Sequence, residues 1–192
     1  MVFSSQHTAR ALAALALVTS LSSAYAQQKL IPASSEIGFV SKQMGVPVEG
    51  KFKRFDAQIA FDPAKPDAGK VLMTIDMLSA TLGAPETDAE LPKATWFNTA
   101  KFAQATFQSS SIKGLGGGKF EVTGKLAIKG NSRDIVVPVQ LVASGPTTTA
   151  TGAFTLKRTT FKIGENEWAD TSMVADDVQV KFKLTLSGVG KF

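Results

Sequence analysis

The strongest constraint on the fold is a two-residue alternation of apolar and polar side chains along most of the chain. It is clearest over 178–186, where VQVKFKLTL places an apolar residue at every even position and a polar one at every odd position. Similar alternation recurs over 55–61 and 120–129. This period is typical of antiparallel strands that bury one face and expose the other. The sequence therefore predicts an all-β protein.

Turn-forming residues separate these runs. Glycine, proline, asparagine and aspartate cluster over 62–69, 113–118, 130–134 and 145–146, and such clusters mark tight turns between strands. Between them we predict eight strands, at about 35–41, 49–61, 70–79, 104–112, 119–129, 134–144, 149–157 and 177–188. Short strands at regular spacing are typical of a β-sandwich or a closed barrel.

One segment departs from this pattern. Thr87-Asp88-Ala89-Glu90 has the spacing of a capping box, with Thr87 as the N-cap and Glu90 at the third helical position. This motif predicts one or two short helical turns over 88–100, and Pro92 excludes a long regular helix there. Because the chain contains no internal repeat, we expect residues 27–192 to form a single domain.

The N-terminus has the pattern of a cleavable signal peptide. Arg10 precedes an apolar run over 11–18, and Ala24-Tyr25-Ala26 has the form of a cleavage site. We therefore predict that residues 1–26 are removed and that the exported protein begins at Gln27 in the periplasm. The apolar run is shorter than the about 20 residues that a spanning helix needs, so no stable membrane insertion is expected.

Composition argues against several function classes. The chain has no cysteine, and its single histidine, His7, lies in the predicted signal peptide. A cysteine nucleophile, a histidine base, a disulfide and the usual zinc ligands are therefore excluded. Removing Arg10 lowers the net charge from +5 to +4, too diffuse for a nucleic-acid footprint. We predict no enzymatic activity, no metal site, no cofactor and no nucleic-acid partner.

Four stretches, taken together with their order and spacing, resemble the YceI-like family of lipocalin-shaped periplasmic proteins. They are 35–39 with Gly45 and 50–55; 91–97 with 101–107; 122–130; and 157–164 with Trp168 and 176–178. The resemblance implies an eight-stranded antiparallel lipocalin-like β-barrel with one short helical segment. It also implies a long apolar cavity that holds a polyisoprenoid, quinone-like or fatty-acyl chain.

The apolar strand faces would then line this cavity, although the same faces could instead fill a closed core. The predicted inward residues are Ile37, Phe39, Phe52, Phe55, Ile59, Ile75, Phe107, Leu126, Ile128, Phe154, Val180 and Phe182. An eight-stranded barrel has an interior that either fills with side chains or holds one small ligand.

Three further side chains are candidates for the cavity mouth or a ligand head group. Arg158 points inward by strand parity, and an inward arginine needs a partner. That partner is either a carboxylate, from Asp176 or Asp177, or the head group of a ligand. Trp96 and Trp168 either pack to close the barrel ends or face a head group with their indole rings.

These observations predict a periplasmic carrier that buries a long apolar amphiphile without chemistry. Its expected partner is an isoprenoid or another lipid-like small molecule, and a homodimer is left open. The alternative is a ligand-free interaction module that partners a membrane electron-transfer or envelope protein.

Overall fold

The computed structural model describes residues 28–192, so the predicted signal peptide lies outside the described residues. The strands are β1 (Lys29–Leu30), β2 (Glu36–Gln43), β3 (Val46–Phe52), β4 (Phe55–Ala60), β5 (Lys70–Asp76), β6 (Ala80–Thr81), β7 (Gln104–Gly116), β8 (Lys119–Ile128), β9 (Asn131–Ser144), β10 (Thr147–Lys157) and β11 (Asp177–Ser187). One α-helix, α1 (Pro85–Asp88), and short 3₁₀ turns complete the described part of the chain.

The strands form one antiparallel sheet that curls into a barrel shape. Neighbouring strands follow the order β4-β5-β7-β8-β9-β10-β11-β2-β3-β6. The N-terminal strand β1 pairs with β11, and the adjacent Gln28 donates its backbone N–H to the carbonyl of Ile59 in β4, at 3.1 Å. Because β4 lies at one end of the strand order, this link draws that end toward the middle of the sheet.

The prediction of an all-β fold is confirmed, but the predicted count of eight strands is wrong. The segment 49–61 divides into β3 and β4, because backbone groups at Lys53 and Arg54 bond to Ser79 and Asp76 instead of continuing a strand. The connection between β2 and β3 is shorter than the predicted gap over 42–48: it is a tight turn at Met44 and Gly45, both with positive φ. The strands β1 and β6 have two residues each, too few to show a period.

The helix also differs from its prediction. Ala84 is the N-cap residue of α1, and the hydroxyl of Thr87 donates to the Ala84 carbonyl at 3.0 Å instead of capping. Pro85 explains the early start, because proline favours the first helical position, where no N–H partner is needed. Residues 89–102 form mainly turns. No helix within residues 28–192 has the length and apolar character to cross a bilayer.

Two groups of buried apolar side chains occupy the inside of the sheet. One lies among β2, β4, β5 and β7–β11 and includes Ile59, Ile112 and Leu184. The other lies under the segment that follows β6 and includes Leu91, Phe97 and Phe161. Both groups form walls around open space, which is the candidate site.

Candidate functional site

Two adjoining chambers lie inside the barrel. The upper chamber has a volume of about 250 Å³, and the lower chamber about 170 Å³. Five residues contribute to the walls of both: Ile37, Ile75, Leu126, Phe154 and Val180. Together the chambers fall within the range of about 300–1,000 Å³ that is typical of small-molecule sites.

The wall of the lower chamber is entirely apolar. All of its residues except Phe61 belong to strands, and most project from alternate positions, as Val137, Val139 and Leu141 do in β9. An apolar wall offers a ligand no hydrogen bond, so the lower chamber can bind only by burying apolar surface.

The upper chamber combines apolar strand residues with a polar end. Two further segments complete its wall: the cap (residues 82–103, between β6 and β7) and the β10–β11 segment (residues 158–176). Ser41, Gln43, Thr87 and Glu90 lie on this wall, and Gln43 and Thr87 are exposed to solvent. We call Gln43, Thr87 and Glu90 the mouth of the cavity.

Arg158 is 1% exposed and holds the β10–β11 segment together. Its guanidinium donates to four backbone carbonyls: Ala175 at 3.1 Å, Ile163 at 2.9 Å, Gly164 at 3.0 Å and Val174 at 2.6 Å. These bonds use four of the five N–H groups that an arginine carries.

No carboxylate in residues 28–192 forms an ion pair with Arg158. Arg158 begins a 3₁₀ turn after β10. Asp176 and Asp177 instead pair with the neighbouring Lys157, with Asp177 at 2.8 Å. Of the two alternatives for the partner of Arg158, the carboxylate is therefore wrong. Burial lowers the pKa of Arg158, and the charge of nearby Asp176 opposes that shift.

The two tryptophans meet at the upper chamber. The ring centroids of Trp96 and Trp168 are 5.6 Å apart, and both residues line the chamber. The Nε1 of Trp96 is buried and has no hydrogen-bond partner within residues 28–192. A buried donor without a partner costs about 1–3 kcal/mol.

The structure places the predicted cavity residues as follows. The upper wall includes Phe39, Phe52 and Ile128, the lower wall includes Ile59, Phe107 and Phe182, and both include Ile37, Ile75, Leu126, Phe154 and Val180. Phe55 lies outside both chambers: it begins β4 beside the strand break, packs against the first group of buried residues and lines a surface pocket with Arg54. That the others contact a ligand stays a prediction.

Sequence reasoning missed much of the upper wall. Ser41 and Gln43 continue the inward parity of Ile37 and Phe39, so this alternation could have revealed them. The wall residues of the cap and the β10–β11 segment, such as Phe97, lie outside strands. No repeating pattern therefore points to them.

Comparisons with known proteins agree with this architecture. Residues 28–186 match the YceI-like domain. A UPF0312 protein of Ectopseudomonas mendocina is 34% identical over 96 residues, which is 50% of each chain, and one of Vibrio cholerae is 29% identical over 114 residues. The matched part thus spans about half the length of the first of these curated relatives.

Solved structures match more of the chain. Burkholderia cenocepacia BcnA is 47% identical with a TM-score of 0.79, and the match covers 81% of this chain and 98% of that one. A Campylobacter jejuni YCEI protein is 25% identical, with a TM-score of 0.68 over 74% and 86% of the two chains. A polyisoprenoid binding domain from Saccharophagus degradans is 19% identical and shares the fold, with a TM-score of 0.67 over 83% and 97% of the two chains. The match to the family over residues 28–186, together with this barrel, shows that the chain belongs to the YceI-like family.

Proposed function

We propose that this protein is an exported periplasmic carrier that holds a long apolar tail inside the barrel. The observation that carries the proposal is the wholly apolar lower chamber, adjoining an upper chamber with a polar mouth. The tail would be a polyisoprenoid, quinone-like or fatty-acyl chain. The shared fold of the Saccharophagus degradans polyisoprenoid binding domain supports this choice.

Burial of the tail would supply most of the affinity. Each buried CH₂ contributes about 0.8 kcal/mol, so a five-carbon isoprene unit contributes up to about 4 kcal/mol. Ordering of the tail offsets much of this gain. The length and width of the cavity, together with contacts at the head group, would then set specificity.

The upper chamber favours an uncharged head group. Arg158 has at most one N–H left for a ligand, because backbone carbonyls take the others. The carboxylate at the mouth, Glu90, forms an ion pair with Lys93, so the mouth has no excess positive charge that would favour a phosphate or a carboxylate. The unpartnered Nε1 of Trp96 would donate to a neutral hydroxyl or carbonyl oxygen.

Two experiments test the carrier function. Protein purified from a periplasmic extract should begin at Gln27 and, in native mass spectrometry, should carry an apolar mass that organic solvent releases. Retention of Met1 in the soluble protein would contradict export. Absence of any bound mass, together with no binding of added long-chain alcohols, would favour the ligand-free interaction module instead.

A titration tests the head group. Hexadecane, hexadecan-1-ol and hexadecyl phosphate share one tail and differ only in the head. We expect the alcohol to bind about tenfold more tightly than the phosphate, which corresponds to about 1.4 kcal/mol. Tighter binding of the phosphate would contradict an uncharged head group.

A further inference from the structure

A phenylalanine ring occupies the place where a side chain of residue 50 would lie. Phe39 in β2 and Gly50 in β3 are directly opposite each other in the strand register. A Cβ atom built on Gly50 would lie 2.6 Å from Cε2 and 2.8 Å from Cε1 of Phe39, and closer still to Cζ. Real Cβ atoms do not come this close to other atoms, so the ring can take this position only above a glycine.

This pair belongs to the wall of the upper chamber. Val48 and Phe52, which flank Gly50 at the same strand parity, line that chamber, and Phe39 lines it from β2. Gly50 therefore faces the interior without a side chain of its own. The Phe39 ring covers the strand at this position, with its centroid 5.4 Å from that of Phe52.

The same arrangement recurs in the lower chamber. There, a ring covers a glycine of the paired strand in two further places: Phe182 above Gly152 and Phe107 above Gly124. At both of these glycines a backbone carbonyl oxygen of a neighbouring strand also blocks the Cβ position. At Gly50 the three nearest atoms all belong to the Phe39 ring. A side chain at position 50 would therefore meet the ring before it met any backbone atom.

We infer that Gly50 is a specificity-determining position, because it lets the Phe39 ring lie against the wall and so sets the width of the upper chamber. The inference rests on the proposed function, since it concerns the tail that the cavity would hold. A methyl-branched chain is thicker than a straight one. Because the Phe39 ring lies above Gly50, the upper chamber has space for such a branched tail. A side chain added at position 50 would move the ring into that space.

The substitution Gly50→Ala tests this inference with two matched probes. Phytanol and hexadecan-1-ol have the same head group and the same main-chain length, and they differ in the methyl branches of phytanol. We expect Gly50→Ala to weaken phytanol binding by about tenfold and hexadecan-1-ol binding by less than about threefold. Equal weakening of both alcohols, or no change in either, would overturn the inference.

A second variant separates ring displacement from a general disturbance. Phe39→Leu added to Gly50→Ala removes the ring and should restore phytanol binding. If Gly50→Ala does not fold, Phe39→Leu alone should favour phytanol over hexadecan-1-ol relative to the wild type, and an unchanged ratio would overturn the inference.

A structural readout distinguishes this inference from the proposed function. Wild-type protein that binds neither alcohol would contradict the carrier function. A selective loss of phytanol binding in Gly50→Ala can be judged only against binding by the wild type. The position of the Phe39 ring is therefore determined separately, by crystallography. A crystal structure of Gly50→Ala with the Phe39 ring unmoved would overturn the inference whatever the wild type binds.

Discussion

The two chambers of the cavity are built in different ways. The lower wall comes almost wholly from strands, whereas the upper wall draws on the cap and the β10–β11 segment, which have no repeating pattern. Backbone pairing holds a strand wall, and any sequence with the right alternation can form it. A wall made of turns needs particular side chains to fix it. The comparison therefore separates a region that backbone pairing holds together from one that particular side-chain contacts hold together.

Three charged side chains fix the turns around the upper chamber. Arg158 joins both ends of the β10–β11 segment through backbone carbonyls. Lys129, 7% exposed, donates to Oε2 of Glu165 at 2.8 Å, and this hydrogen bond lowers the pKa of Glu165. Asp88 at the end of α1 accepts from the Thr81 hydroxyl at 2.5 Å. Each of these contacts anchors a turn to another part of the chain.

The largest effect should come from a charge placed in the lower chamber. Phe182 lines that chamber, and the neighbouring Lys181 is exposed. Phe182→Asp should prevent folding, because an unpaired buried charge costs at least about 3–5 kcal/mol. Lys181→Asp is the matched control and should change stability by less than about 0.5 kcal/mol. Equal shifts of the melting temperature would show that the lower wall is not apolar at this strand position.

The next effect tests the hydrogen bonds by which Arg158 holds the β10–β11 segment together. Arg158→Ala should lower the free energy of unfolding by about 3 kcal/mol, because it removes charge-assisted hydrogen bonds to buried carbonyls. The affinity of this variant for hexadecane and for hexadecan-1-ol should fall by a similar factor. Lys157→Ala is the control, since its ion pair with Asp177 is exposed to solvent and contributes little to stability. Selective loss of the alcohol without a lower melting temperature would instead assign Arg158 to the head group.

A smaller effect should separate the head group from the tail. Trp96→Phe removes the unpartnered Nε1 and retains an aromatic ring. It should weaken the binding of hexadecan-1-ol by about tenfold, which corresponds to about 1.4 kcal/mol, and leave the binding of hexadecane nearly unchanged. Calorimetric titrations of both ligands measure this difference, with Trp168→Phe as the control. Equal loss for both ligands would mean that Trp96 acts only by packing.

The smallest effect concerns the attachment of the cap. The hydrogen bond from the Thr81 hydroxyl, followed by that from the Leu82 backbone, lowers the pKa of Asp88. The carboxylate therefore stabilises the cap above the ordinary aspartate pKa of about 3.9, and this contribution disappears as the pH falls through the lower pKa of the folded protein.

Hydrogen-exchange protection of the Leu82 amide measures this attachment. Its protection factor should fall on acidification through that range, while strand amides around the lower chamber keep theirs. Asp88→Asn should reduce protection already at neutral pH and remove the pH dependence. A wild-type cap amide that stays protected below the lowered pKa would contradict the role of Asp88.

The sequence by itself determined the all-β class, the approximate positions of most strands along the chain and part of the wall of each chamber. The alternation over 178–186 predicted the inward faces of Val180 and Phe182 correctly, and both residues line the cavity. This succeeds because the side-chain direction in a strand depends only on position within that strand. The resemblance of 122–130 and the other quoted stretches led to the YceI-like family, and the match to that family confirms it.

Only the tertiary structure decided the strand count, how the turn segments complete the upper wall, and the partners of Arg158. The break between β3 and β4 depends on hydrogen bonds to residues near 76–79, more than twenty positions away. Arg158 satisfies its guanidinium with the backbone of residues as distant as Val174 and Ala175, and a carbonyl has no residue type that a sequence could reveal. Alternation is a local property of a strand, whereas these contacts exist only after distant turns have come together.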